Sequence, residues 1–134
     1  MILPVVLTSI ALVAGGGGQD CREAQALARQ AYEERRFDQS ALYFATAITA
    51  CGANSSLLLA LGQAQLLARR PAEALAALER IPADSPGYVQ ALKVTAKAMY
   101  LLRRDDDAKA TLKRAAERAP ADAEVPYDLS LIHI

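Results

Sequence analysis

Pairs of arginine return along this chain at a constant interval of 34 residues, at Arg35-Arg36, Arg69-Arg70 and Arg103-Arg104. A constant interval of this length is typical of chains built from stacked copies of one structural unit. Each copy is too small to bury its own apolar face, so neighbouring copies must pack together. The interval therefore constrains the fold more strongly than any single motif, provided that the residues between the arginines repeat as well.

They do repeat. When the chain is set in rows of 34 residues that begin at Cys21, Ser55 and Val89, apolar residues fall in the same columns. The columns are spaced by three and four residues, as on one face of an α-helix, and each row predicts two packed helices. One column contains only small residues and predicts a close approach of the two helices. In row order the columns are Ala24, Leu58, Leu92; Ala28, Gly62, Ala96; Tyr32, Leu66, Tyr100; Ser40, Ala74, Ala108; Phe44, Leu78, Leu112; Ala47, Ile81, Ala115; and Gly52, Pro86, Pro120.

The period and its columns resemble the tetratricopeptide repeat (TPR) family. The resemblance implies an all-α fold, a right-handed α-solenoid of antiparallel helix hairpins. Three repeats are expected at residues 21–54, 55–88 and 89–122, with the start of a fourth at residue 123. The second repeat departs from the family pattern. Ile81 stands where the family prefers alanine, and Pro82 is expected to end the second helix of that repeat early.

Each arginine pair lies where the first helix of a repeat is expected to end. Cations there complement the negative end of the helix dipole by ~0.3–1 kcal/mol each. Pro71 follows the second pair and Asp105-Asp106-Asp107 follows the third, and both suit a first helical turn. We therefore interpret the pairs as markers of the turns rather than as a nucleic-acid patch. The three aspartates are interpreted as a solvated helix start rather than a metal site.

The first twenty residues differ from the rest of the chain. Residues 2–14 carry no charge and are followed by four glycines. This apolar length fits a secretory signal better than a membrane span, although no Lys or Arg precedes it. Residues 1–20 are therefore predicted to be a signal peptide and a glycine-rich linker. Export to the bacterial periplasm or cell envelope follows, with no membrane span after signal removal. If the run is a retained leader instead, the protein is cytoplasmic.

Two cysteines flank the first predicted hairpin. Cys21 begins its first helix and Cys51 ends its second. Because these two ends of an antiparallel hairpin lie side by side, a disulfide is expected if the Cα atoms come within roughly 7 Å. A disulfide agrees with an oxidising compartment, whereas two buried thiols are the alternative for a cytoplasmic protein.

The last six residues, LSLIHI, bring isoleucine and histidine into a chain rich in alanine and leucine. The DNA sequence CTGTCTCTTATACACATC encodes this hexapeptide and resembles the end of a transposon-based sequencing adapter. Residues 129–134 are therefore expected to be a non-native, adapter-derived tail. Residues 21–128 are expected to be a TPR domain at the N-terminal end of a longer protein. A short natural terminal helix is the alternative.

Few residues of this chain suit catalysis. Fifteen basic residues balance fifteen acidic ones, and the one histidine is His133. We therefore expect no enzyme activity, no cofactor, no metal and no nucleic-acid partner. The resemblance implies a scaffold that binds an unidentified protein or peptide in a concave groove. The alternatives are a recruitment segment of a larger enzyme, with the catalytic domain elsewhere, and an ordinary solvated face.

The helical phase predicts a mildly basic, partly aromatic groove on the first helices of the repeats. Members of the family that clamp the C-terminal carboxylate of chaperones carry Lys, Asn and Arg at five groove positions. The corresponding residues here are Gln25, Arg29, Ala60, Gln90 and Val94, none of which matches, so a chaperone clamp ligand is not expected. The candidate groove residues are Arg22, Gln25, Arg29, Tyr32, Gln63, Lys93, Lys97 and Tyr100, with Glu33, Leu59, Leu66 and Gln90 beside them.

Overall fold

The structure, a computed structural model, describes residues 17–118, and this part of the chain contains six α-helices and no strand. Each helix packs against the next along the chain, and α3 also packs against α5. The helices form three hairpins, one for each 34-residue row, and the predicted all-α solenoid is confirmed. The helices are α1 (Gly17–Glu33), α2 (Phe37–Cys51), α3 (Ser55–Leu67), α4 (Pro71–Leu78), α5 (Tyr88–Leu101) and α6 (Asp105–Arg118).

The first helix begins earlier than the sequence pattern predicts. Gly17 and Gly18, expected in a glycine-rich linker, lie in α1 together with Gln19 and Asp20. The predicted signal peptide, fourth repeat and adapter-derived tail lie outside the described residues. Within residues 17–118, no helix is both long enough and apolar enough to cross a membrane.

The small column holds the two helices of each hairpin close together, as expected. Ala28 and Ala96 are fully buried. Gly62 has no room for a larger residue, since an added Cβ would lie 2.7 Å from Cγ of Leu78 on the facing helix. In the first hairpin, the hydroxyl of buried Ser40 donates across the interface to the Ala28 carbonyl oxygen at 2.9 Å. The hairpin contact therefore depends on small side chains and close backbones.

A left-handed residue ends the first helix of every hairpin, and in every case it is an arginine. Arg35, Arg69 and Arg103 have φ values of 62°, 65° and 65°. The amide that follows each of them bonds back to a carbonyl five residues earlier, as in the Schellman motif. Glycine usually occupies this position because it has no Cβ to strain. These hydrogen bonds join Arg36 N to Ala31 O (2.8 Å), Arg70 N to Gln65 O (2.9 Å) and Arg104 N to Met99 O (2.8 Å).

The second arginine of each pair makes ion pairs with carboxylates around the turn. All of these side chains are exposed, so each pair contributes little to stability. In the first turn, hydrogen bonds from Gln30 and Arg36, together with the charge of Arg36, lower the pKa of Glu34. The arginine pairs thus lie at the turns, as predicted. The ion pairs are Arg36–Glu34, Arg70–Asp38 at 3.1 Å, Arg70–Glu73 at 3.8 Å and Arg104–Asp107 at 2.9 Å.

The fourth helix is the shortest, with eight residues, and it ends at Leu78, before Pro82. The chain then turns through hydrogen bonds that span three residues instead of four, such as the one from Ile81 N to Leu78 O at 3.1 Å. Ile81, which is larger than the alanine of the family pattern, is nevertheless buried. It packs in a cluster with Leu58 and Val94, and so links the second repeat to the third.

Candidate functional site

A cavity of about 370 Å³ opens between the first two hairpins, and we call it the groove cavity. Four of the predicted groove residues line it: Gln25, Arg29 and Tyr32 from α1, and Gln63 from α3. These side chains meet because the first helices of neighbouring repeats bear equivalent faces on the same side of the stack. The remaining lining residues are Glu33, Phe44, Ser56, Leu57 and Ala60.

The groove cavity combines a polar wall with an apolar floor. Its floor includes Phe44 and Leu57, both buried in the core between the first two repeats. Arg29 and Glu33 are the charged residues that line it, and both are exposed. A wall of amides and charges above an apolar floor suits a peptide, which offers backbone hydrogen-bonding groups and apolar side chains together.

The wall formed by α1 is held by one contact within the helix and by one with the first residue of α2. Arg29 Nη2 donates to Gln25 Oε1 at 3.2 Å, one helical turn away. Half-buried Tyr32 is fixed by Phe37, whose ring meets it edge-on with centroids 5.3 Å apart. Arg29 therefore faces the cavity with a partner that orients it.

The two cysteines lie next to this wall. Cys21 and Cys51 are joined as a disulfide with Cα atoms 5.2 Å apart, within the range that a bridge requires. Gln25 Nε2 donates to both sulfurs, at 3.2 Å to Cys21 Sγ and at 3.5 Å to Cys51 Sγ. The bridge closes the open end of the first hairpin, opposite the turn at Arg35.

The other predicted groove residues lie outside the groove cavity. Arg22 is exposed on α1, and Lys97 is exposed on α5. Tyr100, 44% exposed, lines a separate cavity of about 300 Å³ with Leu101, at the turn that follows α5. Lys93 differs from the expectation, because it is only 5% exposed and so offers no open cation to a ligand. Helical phase gives the direction of a side chain but not what covers it.

Two of the exposed leucines lie on the groove side of their helices and were not predicted from the sequence. Leu67 is 47% exposed and Leu101 is 56% exposed. Each follows a predicted groove residue by one turn, Gln63 and Lys97 respectively, and so shares its helix face. Both occupy the row position of Glu33, which lines the groove cavity. The available signal was a double leucine before the second and third arginine pairs, of which only Leu66 was assigned to the groove.

Another cavity, of about 420 Å³, lies beside α6, and the side chains that line it contact one another. Arg114 Nη2 donates to the Tyr88 hydroxyl at 2.7 Å, and the Arg118 guanidinium lies 4.9 Å from the centre of the Tyr88 ring. Across residues 17–118 there is also no group of three or more His, Cys, Asp or Glu side chains placed to hold a metal. The groove cavity is therefore the stronger candidate for a binding site.

No family model matches the sequence, and no curated protein matches it. Solved structures do match. The second TPR domain of human RPAP3, determined by NMR in complex with the HSP70 peptide SGPTIEEVD, superposes with a TM-score of 0.75 at 18% identity. The match covers 87% of this chain and 97% of that one. The first TPR of Spaghetti (RPAP3), bound to the HSP90 peptide SRMEEVD, gives 0.74 at 18% identity over 86% and 91% of the two chains.

A third match is the Arabidopsis OM64 TPR domain, with a TM-score of 0.75 at 18% identity over 87% of this chain and 98% of that one. These domains are matched over nearly their whole length. This chain has the TPR fold. The fold implied by the sequence resemblance is confirmed, whereas identity of this size carries no ligand from one TPR domain to another.

The structure shows where the positions of the chaperone carboxylate clamp lie in this chain. Three of the five positions at which clamp-type TPR domains carry cations or asparagines are Gln25, Arg29 and Ala60, and all three line the groove cavity. A charged group occurs at one of them, Arg29. The chemistry of the cavity therefore differs from that of a carboxylate clamp.

Proposed function

We propose that this TPR domain is a non-catalytic module that binds an extended peptide segment of a partner protein along α1, α3 and α5. The observation that carries the proposal is the groove cavity, in which polar and apolar side chains from two repeats meet. That two TPR domains of the same fold hold peptides supports a ligand of this class.

The lining residues define the chemistry of the proposed ligand. Arg29 favours an acidic side chain, and Gln25 and Gln63 offer amides to a peptide backbone. Beyond the cavity, exposed Leu67 and Leu101 offer apolar contacts one turn after Gln63 and Lys97. We therefore propose a peptide that carries an acidic residue followed or preceded by apolar residues, and that crosses more than one repeat.

The chaperone terminus is not the proposed ligand, although the two peptide-bound neighbours carry chaperone peptides. Neither Ala60 nor Val94 supplies a hydrogen-bond donor from its side chain. Arg29 alone would have to bind a terminal carboxylate and the acidic residues before it. The peptide SRMEEVD is therefore expected to bind at least tenfold more weakly than a peptide selected for this groove.

Selection of peptides and groove variants test the proposal together. A phage-displayed library of random peptides is panned against the purified protein, and fluorescence anisotropy gives the affinities of the selected peptides. Arg29→Ala and Gln63→Ala are each expected to weaken binding about five- to thirtyfold, because each removes a hydrogen-bond partner worth ~1–2 kcal/mol. Lys113→Ala, an exposed change on α6, serves as the matched control. Equal affinity in all three variants would place the binding site elsewhere.

We also propose that the protein is exported to an oxidising compartment. Support comes from the apolar run of residues 2–14 and from the cysteine pair at disulfide distance. Expression of the gene in a bacterium, followed by fractionation and thiol labelling, tests this. Protein recovered from the cytoplasm with both thiols free to react would contradict the proposal.

A further inference from the structure

The Gln25 amide connects the cysteine pair to the peptide groove. At one end its nitrogen donates to the sulfurs of Cys21 and Cys51, at 3.2 Å and 3.5 Å. At the other end its oxygen accepts from Arg29 Nη2 at 3.2 Å. Gln25 and Arg29 both line the groove cavity. One side chain thus contacts the disulfide, the cation of the groove cavity and the space where a ligand would lie.

We propose that Gln25 is a positioning residue through which the redox state of Cys21 and Cys51 sets the preference of the groove for acidic peptides. The proposal rests on the peptide-binding function above and adds a regulatory input to the same site. In the oxidised protein, the two sulfurs hold the amide nitrogen, so the amide oxygen faces Arg29 and orients its guanidinium at the cavity.

Reduction of the bridge changes the contacts of Gln25 with the two sulfurs. A dithiol transfers two electrons and two protons to the bridge, whose S–S bond breaks to leave a thiol on each cysteine, while the dithiol becomes a disulfide. The two thiols are no longer held at a fixed separation and their side chains can rotate independently, so the sulfurs no longer hold the amide nitrogen in one position. The buried residues nearest to the bridge along each helix are Ala24 and Ala47, which pack in the same core cluster.

Paired peptides measure the coupling. The probe is a glutamate-containing peptide from the library selection and its variant with that glutamate replaced by glutamine. In the wild-type protein, the affinity ratio of the acidic to the neutral peptide is expected to fall about two- to fivefold on reduction with dithiothreitol, the size of one exposed hydrogen-bond contribution. Gln25→Ala, which keeps the disulfide, should show the low ratio in both redox states. A wild-type ratio that does not change on reduction, or a Gln25→Ala protein that responds like wild type, overturns the proposal.

Two further variants separate positioning from general damage to the fold. The Cys21→Ser/Cys51→Ser protein should give the low ratio with and without dithiothreitol, while circular dichroism confirms that it stays helical. Gln63 lines the same cavity but does not contact either sulfur. In the Gln63→Ala protein, the overall affinity for peptide should therefore change while the redox response persists. Loss of the redox response in Gln63→Ala would argue against a specific role for Gln25.

A spectroscopic measurement tests the coupling without any peptide. The side-chain Nε–Hε resonance of Arg29 is expected to shift when the wild-type disulfide is reduced, and to stay unchanged on reduction of Gln25→Ala. If no peptide binds in either redox state, the proposed function fails while this resonance still decides whether the cysteine pair and Arg29 are coupled. An Arg29 resonance that is insensitive to reduction refutes the coupling.

Discussion

Replacing the first arginine of each pair with glycine is expected to stabilise this domain. Arg35, Arg69 and Arg103 hold φ values of 62–65°. The left-handed conformation costs an L-residue ~1–2 kcal/mol, and glycine avoids that cost. Glycine also lowers the free energy of unfolding by ~0.4–1 kcal/mol, because it gives the unfolded chain more conformational freedom. The net gain is about 0.5–1 kcal/mol per site, and about 1.5–3 kcal/mol for all three, since the sites lie one repeat apart.

Urea denaturation followed by circular dichroism measures this gain. Each single glycine variant should raise the midpoint at an unchanged m-value, and the triple variant should show the sum. For a domain of this size, ~1 kcal/mol corresponds to a rise in Tm of about 4–8 °C. The side chains of these arginines are exposed, and within residues 17–118 they have no ion-pair partner, so their removal should cost little.

The second arginine of each pair provides the matched control. Arg36 and Arg70 have φ values of −94° and −123°, which any residue adopts. Glycine there relieves no strain and should destabilise the domain by ~0.4–1 kcal/mol through the unfolded chain, and loss of the exposed ion pairs acts in the same direction. Opposite signs for neighbouring arginines are therefore the expected result. If glycine lowers stability equally at both positions of a pair, backbone conformation does not determine the effect, and the reasoning fails.

Three other outcomes follow from the packing, the bridge and the first turn. Gly62→Ala should destabilise the domain by ~0.5–2 kcal/mol in urea denaturation, because overpacking against Leu78 exceeds the gain in helix propensity. Gly87→Ala, whose Cβ would meet nothing closer than 4.0 Å, is the control and should not destabilise. Reduction of the Cys21–Cys51 bridge should lower the free energy of unfolding by ~3–4 kcal/mol, and an unchanged Tm in dithiothreitol would contradict this. Because the pKa of Glu34 is lowered in the folded protein, its ionised carboxylate stabilises the fold above pH 4.5. This stabilisation is lost as the pH falls below that ordinary value. Glu34→Gln should flatten this acid dependence of Tm, and an identical pH profile would show that the turn contributes nothing.

Much of the fold was predictable from the sequence because the same pattern occurs three times. The buried columns that include Ala28, Ser40 and Phe44 recur at the predicted interval, and the structure buries each of them. The apolar spacing within a helix is local information, and repetition confirms it. The start of α1 was not predicted, because glycines favour a linker on propensity alone.

The candidate site was only partly predictable. Gln25, Arg29, Tyr32 and Gln63 do line one cavity, since helical phase directs them to a shared face. Lys93 shares that phase and is buried, because exposure depends on neighbouring elements rather than on phase. The same limit explains why the exposed Leu67 was missed.

By itself, the sequence determined the interval, the number of helices per unit and the positions where helices approach closely, because these depend on spacing along one chain segment. Only the tertiary structure decided which side chains from separate repeats meet at the groove cavity. It also decided that an arginine takes the left-handed position at each turn, and that one glutamine contacts both the cysteine pair and Arg29. The groove cavity and the contact of Gln25 with Cys51 depend on residues far apart in the chain, and no local pattern encodes such contacts.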